Sequence, residues 1–193
     1  MNLEPKILEN RFVRLEPMAA AHREAFRAAC DADPETWLKL YPYPMGAEHF
    51  DAGWARFYEA PGAERLNYAV LEDGVCVGVS SYLRIDPQQA TVEIGGTYYR
   101  PEARARAVNP AAKRLLLEDA FASGARRVQF CVDAINARSR AAVLKLGAVQ
   151  EGILRQDRVT WTGRIRDTVV FSILADEWPA VRDRLDARLA AFG

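Results

Sequence analysis

The segment from Glu93 to Gly152 constrains the fold most, because it reads as a strand, an arginine-bearing turn, a helix and a second strand without interruption. Residues 91–99 (TVEIGGTYY) alternate as a strand until Arg100-Pro101 breaks it, since proline has no N–H to give to a ladder. The turn EARARAVN follows, and the sequence predicts a helix over 110–121, with Asn109 as N-cap and Pro110 first in the helix. Val128 to Asp133 then supplies a strand that would lie beside the first in a right-handed strand-helix-strand unit. The first N–H groups of a helix lack partners and its dipole is positive there, so such a turn attracts anions. The segment therefore reads as a site for a phosphate-rich cofactor that extends between two neighbouring strand ends.

The surrounding sequence supplies a sheet and its covering helices. Phe12 to Glu16 alternates as a short strand closed by Pro17, and Ala19 to Cys30 is Ala-rich and helical. Asp33-Pro34 fits the N-cap and first residue of another helix. Tyr41-Pro42-Tyr43-Pro44 is an extended loop, because each proline pushes its predecessor out of the helical region. Ala47 to Glu59 resumes helical spacing, and period-two segments at 66–71, 75–85 and 91–99 form an antiparallel meander. Ala137 to Leu146 is helical and stopped by Gly147; strands follow at 149–160 and 168–174, and 176–192 closes the chain as a helix.

At 193 residues, half of them hydrophobic, the chain suits one α/β domain with a well-buried core. Basic and acidic residues balance at 26 each, but residues 1–100 carry ten basic and fifteen acidic groups whereas 101–193 carry sixteen and eleven. The positive half contains the proposed phosphate site. No long basic run or basic-aromatic stripe points to nucleic acid. Cys30, Cys76 and Cys131 are unclustered, which suits reduced thiols, and no window is apolar enough to span a bilayer or act as a secretion signal. The expectation is a cytoplasmic protein that binds neither membrane nor metal; His22 and His49 have no metal-ligand spacing.

The motifs LENRFVRLEPM, VEIGGTYYRPEARARAVNP, NARSRAAVLKLGAVQEGILR and RDTVVFSIL, in this order, resemble the Gcn5-related N-acetyltransferase superfamily and its RimJ/RimL-like branch. The resemblance runs from Leu8 to Leu174, and N-x-x-S followed by L-G-A and E-G is its most specific part. It implies a central mixed, mostly antiparallel sheet of about seven strands, flanked by helices and splayed between the fourth and fifth. It also implies acetyl-coenzyme A as cosubstrate and a primary amine, on a peptide N-terminus or a small molecule, as acceptor; a homodimer is compatible with it. By the same resemblance, Arg104, Ala105, Arg106, Ala107 and Val108 hold the pyrophosphate, and Tyr98 and Tyr99 offer backbone to the pantetheine arm. Asn136 and Ser139 take the reactive end.

The sequence departs from the family's turn at Glu102, where Gln or Arg is usual, and at Ala105, where glycine is usual. If residue 105 needs positive φ, alanine costs on the order of 1 kcal/mol, or about fivefold in affinity. The usual tyrosine acid is absent as well, its position being Val143. These departures leave open a second reading, a relative of the fold that binds a ligand or protein without turnover. For catalysis the candidates are Ser139, contacting the sulfur, and Glu93, a base on the strand face shared with Gly95, Thr97 and Tyr99. Each has a plainer alternative: Ser139 as a helix-terminus residue capping its own turn, Glu93 as a carboxylate satisfied by arginine or amides. Asp157 and Arg158 are weaker acceptor-site candidates, and Tyr41, Tyr43, Trp54 and Trp161 either line a pocket or fill core. Asp167 suits an ion pair or a turn.

Overall fold

The computed structural model describes residues 1–59 and 61–192. Its strands are β1 (Leu8–Glu9), β2 (Arg14–Pro17), β3 (Arg65–Glu72), β4 (Val75–Asp86), β5 (Thr91–Tyr99), β6 (Arg127–Asp133), β7 (Val149–Val159) and β8 (Ile165–Leu174). They form one sheet in the order β1-β2-β3-β4-β5-β6-β8-β7, in which β5 and β6 alone run parallel. This is the mixed, mostly antiparallel sheet expected, with one additional strand. β1 is two residues long and so leaves no periodicity to read; the Asn10 side chain, accepting from Phe12 and Val13 N–H, turns the chain from β1 into β2.

Helices α1 (Arg23–Asp31), α2 (Pro34–Leu40) and α3 (Phe50–Trp54) cover one face, and α4 (Val108–Ala122), α5 (Ala137–Leu146) and α6 (Trp178–Ala190) the other. Phe26, Trp37, Phe50 and Trp54 pack with Val79 and Tyr98 on the first side. Leu116, Leu117, Val181 and Leu185 pack with Val92, Ile94 and Phe171 on the second. Burying each such side chain contributes roughly 1.5–3 kcal/mol, which fixes the helices against the sheet. The helix expected over 47–59 is segmented into a 3-10 turn, α3 and a π turn at Ala55–Glu59.

Two local devices shape the sheet centre. β5 and β6 pair only at Thr91–Arg127, Val92–Val128 and Glu93–Gln129, after which they part. β5 also bulges: Gly95 faces Ser81 and Tyr98 faces Val79, so Gly96 and Thr97 together oppose Ser80. Gly96 has φ +57°, a conformation that glycine adopts without a Cβ penalty. The bulge expected at Gly95-Gly96 thus lies where the strands separate.

Candidate active site

The bulge changes which residues share a face. Val92 and Ile94 point into the core under α4, so Glu93 points to the opposite face, where it meets Arg84 at 3.6 Å and Gln129 at 3.4 Å. Unbroken alternation would keep Thr97 and Tyr99 with Glu93. The extra residue instead turns Thr97 to the Lys113 amine of α4 and Tyr99 to the core on that side. Tyr98 returns to the Glu93 face, where its hydroxyl donates to the Ala29 carbonyl at 2.7 Å and its ring stacks on Trp37.

Beyond Glu93 the β6-side edge of β5 pairs with no strand among the described residues. Two of its carbonyls are bonded by side chains: Thr97 accepts the Tyr41 hydroxyl, and Tyr99 accepts Arg104 Nε at 2.7 Å. Tyr41 also packs on Trp37 and Tyr98, so the aromatic loop after α2 closes over the bulge. The β7–β8 hairpin tip reaches this loop, with Trp161 Nε1 donating to the Trp37 carbonyl and Trp161 N to Pro42, both at 3.2 Å. Tyr41, Tyr43 and Trp161 are thus positioned around the cleft. Trp54 is buried between Phe50 and Tyr58 and fills core.

The turn after β5 leads directly into α4. The helix begins at Val108 and not Pro110: Ala107 is its N-cap, without a side-chain cap bond, and Asn109 lies inside the first turn. Pro110 fits there because N–H groups of a first turn have no helical acceptor anyway. The first intrahelical bond runs from Ala111 N to Ala107 O at 2.9 Å. Val108 is fully buried, so its side chain belongs to the core under α4 and not to the cleft surface. Ala105 has φ +58°, the left-handed conformation that glycine takes at no cost.

The two arginines of the turn have different surroundings. Arg104 is held inward: Nη1 pairs with Asp33, Nε bonds Tyr99 O, and the guanidinium lies over the Tyr98 ring. Its Nη2 is buried without a partner among the described residues. Burial opposes the charge on Asp33, but hydrogen bonds from Thr36 and Arg104 outweigh it and hold the carboxyl below its ordinary range. Arg106 is exposed and meets Glu72 at 3.2 Å.

On the other lip, Asn136 caps α5 by accepting from Ser139 N at 3.0 Å. Asn136 is therefore the cap, and Ser139 supplies the capped N–H. Glu93 and Ser139 stand at different levels of the cleft, since β6 runs four residues from Gln129 to Asp133, about 13 Å at 3.3 Å per residue. Asp157 accepts from Thr168 at 2.8 Å and from Arg158 at 2.7 Å, in a network continued by Arg166, Arg164 and buried Asp133. Asp167 accepts from Gln156 N at 2.7 Å and stabilises a bulge in β7.

An open strand edge, an uncapped fifteen-residue helix directly after it, and a buried arginine nitrogen without a partner suit an elongated ligand with amides and phosphates. Residues 13–149 match the family model described as "Acetyltransferase (GNAT) domain". The chain belongs to the GNAT acetyltransferase family. A Bacillus subtilis (strain 168) protein named "Putative ribosomal N-acetyltransferase YdaF" is 30% identical over 147 residues, 74% of this chain and 78% of that protein. A GCN5-related N-acetyltransferase from Brucella melitensis superposes with TM-score 0.89 at 33% identity, covering 96% of this chain and 86% of that one. Mycobacterium smegmatis RimJ, solved in complex with CoA-disulfide, shares the fold at TM-score 0.80 and 21% identity, over 95% of each chain. This acetyltransferase is an acyltransferase by family.

Sequence reasoning missed Lys113. It is 5% exposed, and its amine donates to Thr97 Oγ1 at 2.6 Å and Ser80 Oγ at 2.8 Å. Desolvation lowers its pKa to about 7. A helical-wheel reading contained the signal, because Lys113 lies three residues after Pro110 and four before Leu117, both buried.

Proposed function

We propose that the protein transfers acetyl from acetyl-coenzyme A to a primary amine, of a peptide N-terminus or a small molecule, by direct attack within one ternary complex. The observation that carries this reading is the parting of β5 from β6 after Glu93, with the opened β5 running into the uncapped start of α4. Backbone amides of residues 105–109, together with Arg104 and Arg106, would hold the phosphates, and the open edge around Tyr98 and Tyr99 the pantetheine amides. When bound, the thioester supplies an activated acyl group.

The chain's own residues align and deprotonate the acceptor. A peptide α-amine, with pKa about 7.7 to 8.0, is partly neutral at pH 7, whereas an alkylamine near 10 is not. Glu93 lies on the face closed by the aromatic loop, 6% exposed, and would take a proton from the acceptor directly or through water. Ser139, at the start of α5, would donate to the departing thiolate. Cysteine chemistry does not compete: burial pushes the Cys131 thiol up to about 12 and raises the Cys30 and Cys76 thiols as well. Thiols raised in this way are poor nucleophiles at neutral pH, which favours direct transfer over an acyl-cysteine route.

Calorimetry with acetyl-coenzyme A, followed by free-thiol release across an amine panel, tests the proposal. Binding and thiol release that depends on one amine class are expected; no binding at millimolar concentration overturns it.

A further inference from the structure

We infer that Lys113 is a positioning residue of the acyl-transfer site, acting through Thr97 to hold the opened edge of β5 in the shape that receives the thioester arm. This rests on the acetyl-transfer reading above and assigns a task to a residue that reading leaves unused.

The geometry is specific to the bulge. Thr97 is one of the two residues opposing Ser80, and Lys113 bonds the hydroxyls of both Thr97 and Ser80, which are themselves 2.8 Å apart. From the other face, the Tyr41 hydroxyl donates to the Thr97 carbonyl. One residue, at the place where the sheet opens, is thus clamped on its side chain through α4 and on its backbone through the aromatic loop. Among the described residues no β6 pairing restrains Thr97, because the last β5–β6 pair is Glu93–Gln129.

The chemistry of the clamp is costly if its only task is structural. An ammonium buried among apolar residues needs a carboxylate or a full set of acceptors, and the partners of Lys113 among the described residues are two neutral hydroxyls. The acids of its own helix, Glu118 and Asp119, pair elsewhere: Glu118 with Arg114, and Asp119 with Lys6 and Tyr82. Methionine would fill the same space without desolvating a charge, so packing alone does not call for lysine. In its protonated form Lys113 also makes the stretch in front of it favour developing negative charge, which a thioester carbonyl acquires as an amine attacks it.

Three isosteric variants test the inference: Lys113→Met, Thr97→Val and their double. Lys113→Met is expected to match or exceed the wild-type Tm at pH 6, while kcat falls roughly tenfold or more and acetyl-coenzyme A affinity changes by less. Thr97→Val should give a similar kcat loss, and the double variant should be no worse than either single, since both remove one device. Amide hydrogen exchange in the ligand-free protein should accelerate at residues 96–98 in all three. Retained kcat, losses that multiply in the double, or unchanged exchange at 96–98 each overturn it, and a Tm that falls in step with kcat assigns Lys113 to structure alone. Should the wild type neither bind acetyl-coenzyme A nor release thiol, the acetyl-transfer reading fails. The exchange measurement then still decides whether Lys113 shapes this edge.

Discussion

Arg104 of the turn before α4 and Asp33, the N-cap of α2, form an ion pair across 71 positions of sequence. The pair ties the proposed phosphate turn to the helix that carries Trp37 and leads into the aromatic loop. Asp33 receives Thr36 N at 3.1 Å on one oxygen, and Thr36 Oγ1 and Arg104 on the other. One carboxylate thus fastens the start of α2 to the turn before α4.

Asp33→Ala should therefore cost more than an ordinary helix cap. Losing the cap alone costs about 1 kcal/mol, and stranding a largely buried guanidinium adds to it. A total of about 2–3 kcal/mol is expected in urea denaturation at pH 7. The folded Asp33 carboxyl titrates below its unfolded value, so its stabilisation is present above that unfolded value and lost as pH falls through the folded one. Wild type and Asp33→Ala should accordingly converge in stability in acid.

At Ala105 the φ of +58° meets the condition under which alanine is expected to weaken the turn. Ala105→Gly relieves about 1 kcal/mol of local strain, partly offset by the extra freedom glycine gives the unfolded chain. Stability should change little. Acetyl-coenzyme A affinity should stay within about fivefold by calorimetry, because Ala105 already adopts the left-handed conformation without ligand and its cost falls on folding. A weaker complex would mean that the turn is not a phosphate cradle.

Lys113 makes stability depend on pH in a definite direction. Its folded pKa, about 7, lies below the ordinary lysine value, so between the two the unfolded chain binds more protons than the folded one. The contribution of this group to stability should rise with pH across this window, by at most about 1.4 kcal/mol per unit, while the raised Cys30, Cys76 and Cys131 thiols act in the opposite direction above the ordinary thiol value. Below pH 7 the buried charge penalises the fold in full. Lys113→Met removes this contribution and leaves the thiol contributions common to both proteins, so the Tm advantage of the variant should shrink from pH 7 to pH 10.

Most of the sheet was legible because a period of two is imposed by burial on one or both faces, and β3, β4 and β5 carry it over many residues. The splay and the Gly95-Gly96 bulge were legible through family motifs and glycine. The consequence of the bulge was not: a single inserted residue reverses every later side chain, so Thr97 left the face of Glu93. The start of α4 differs by two residues because Asn-Pro is a strong cap signal, whereas here the proline occupies the third helical position and Ala107, at the N-cap, makes no side-chain cap bond. The surroundings of Arg104 depend on Asp33, 71 residues away, and no local pattern encodes such a pair.

Ser139 and Glu93 are separable by kinetics because they stand at different levels of the cleft and would handle different protons. If Ser139 assists thiolate departure, Ser139→Ala lowers kcat more than it weakens acetyl-coenzyme A binding. The α5 cap survives the change, since it uses the backbone N–H of residue 139 and the side chain of Asn136, so stability should move little. Roughly ten- to hundredfold in kcat is the scale for one proton-transfer contact. Glu93→Gln should instead discriminate among acceptors. An alkylamine, mostly protonated at pH 7, needs the base, and its rate should fall sharply; a peptide α-amine, already partly neutral, should lose much less. Raising the pH should restore alkylamine acetylation in Glu93→Gln and leave Ser139→Ala unrepaired, because only the first variant lacks a route for the acceptor's proton. Equal losses with both amine classes at every pH would assign Glu93 to its contacts with Arg84 and Gln129.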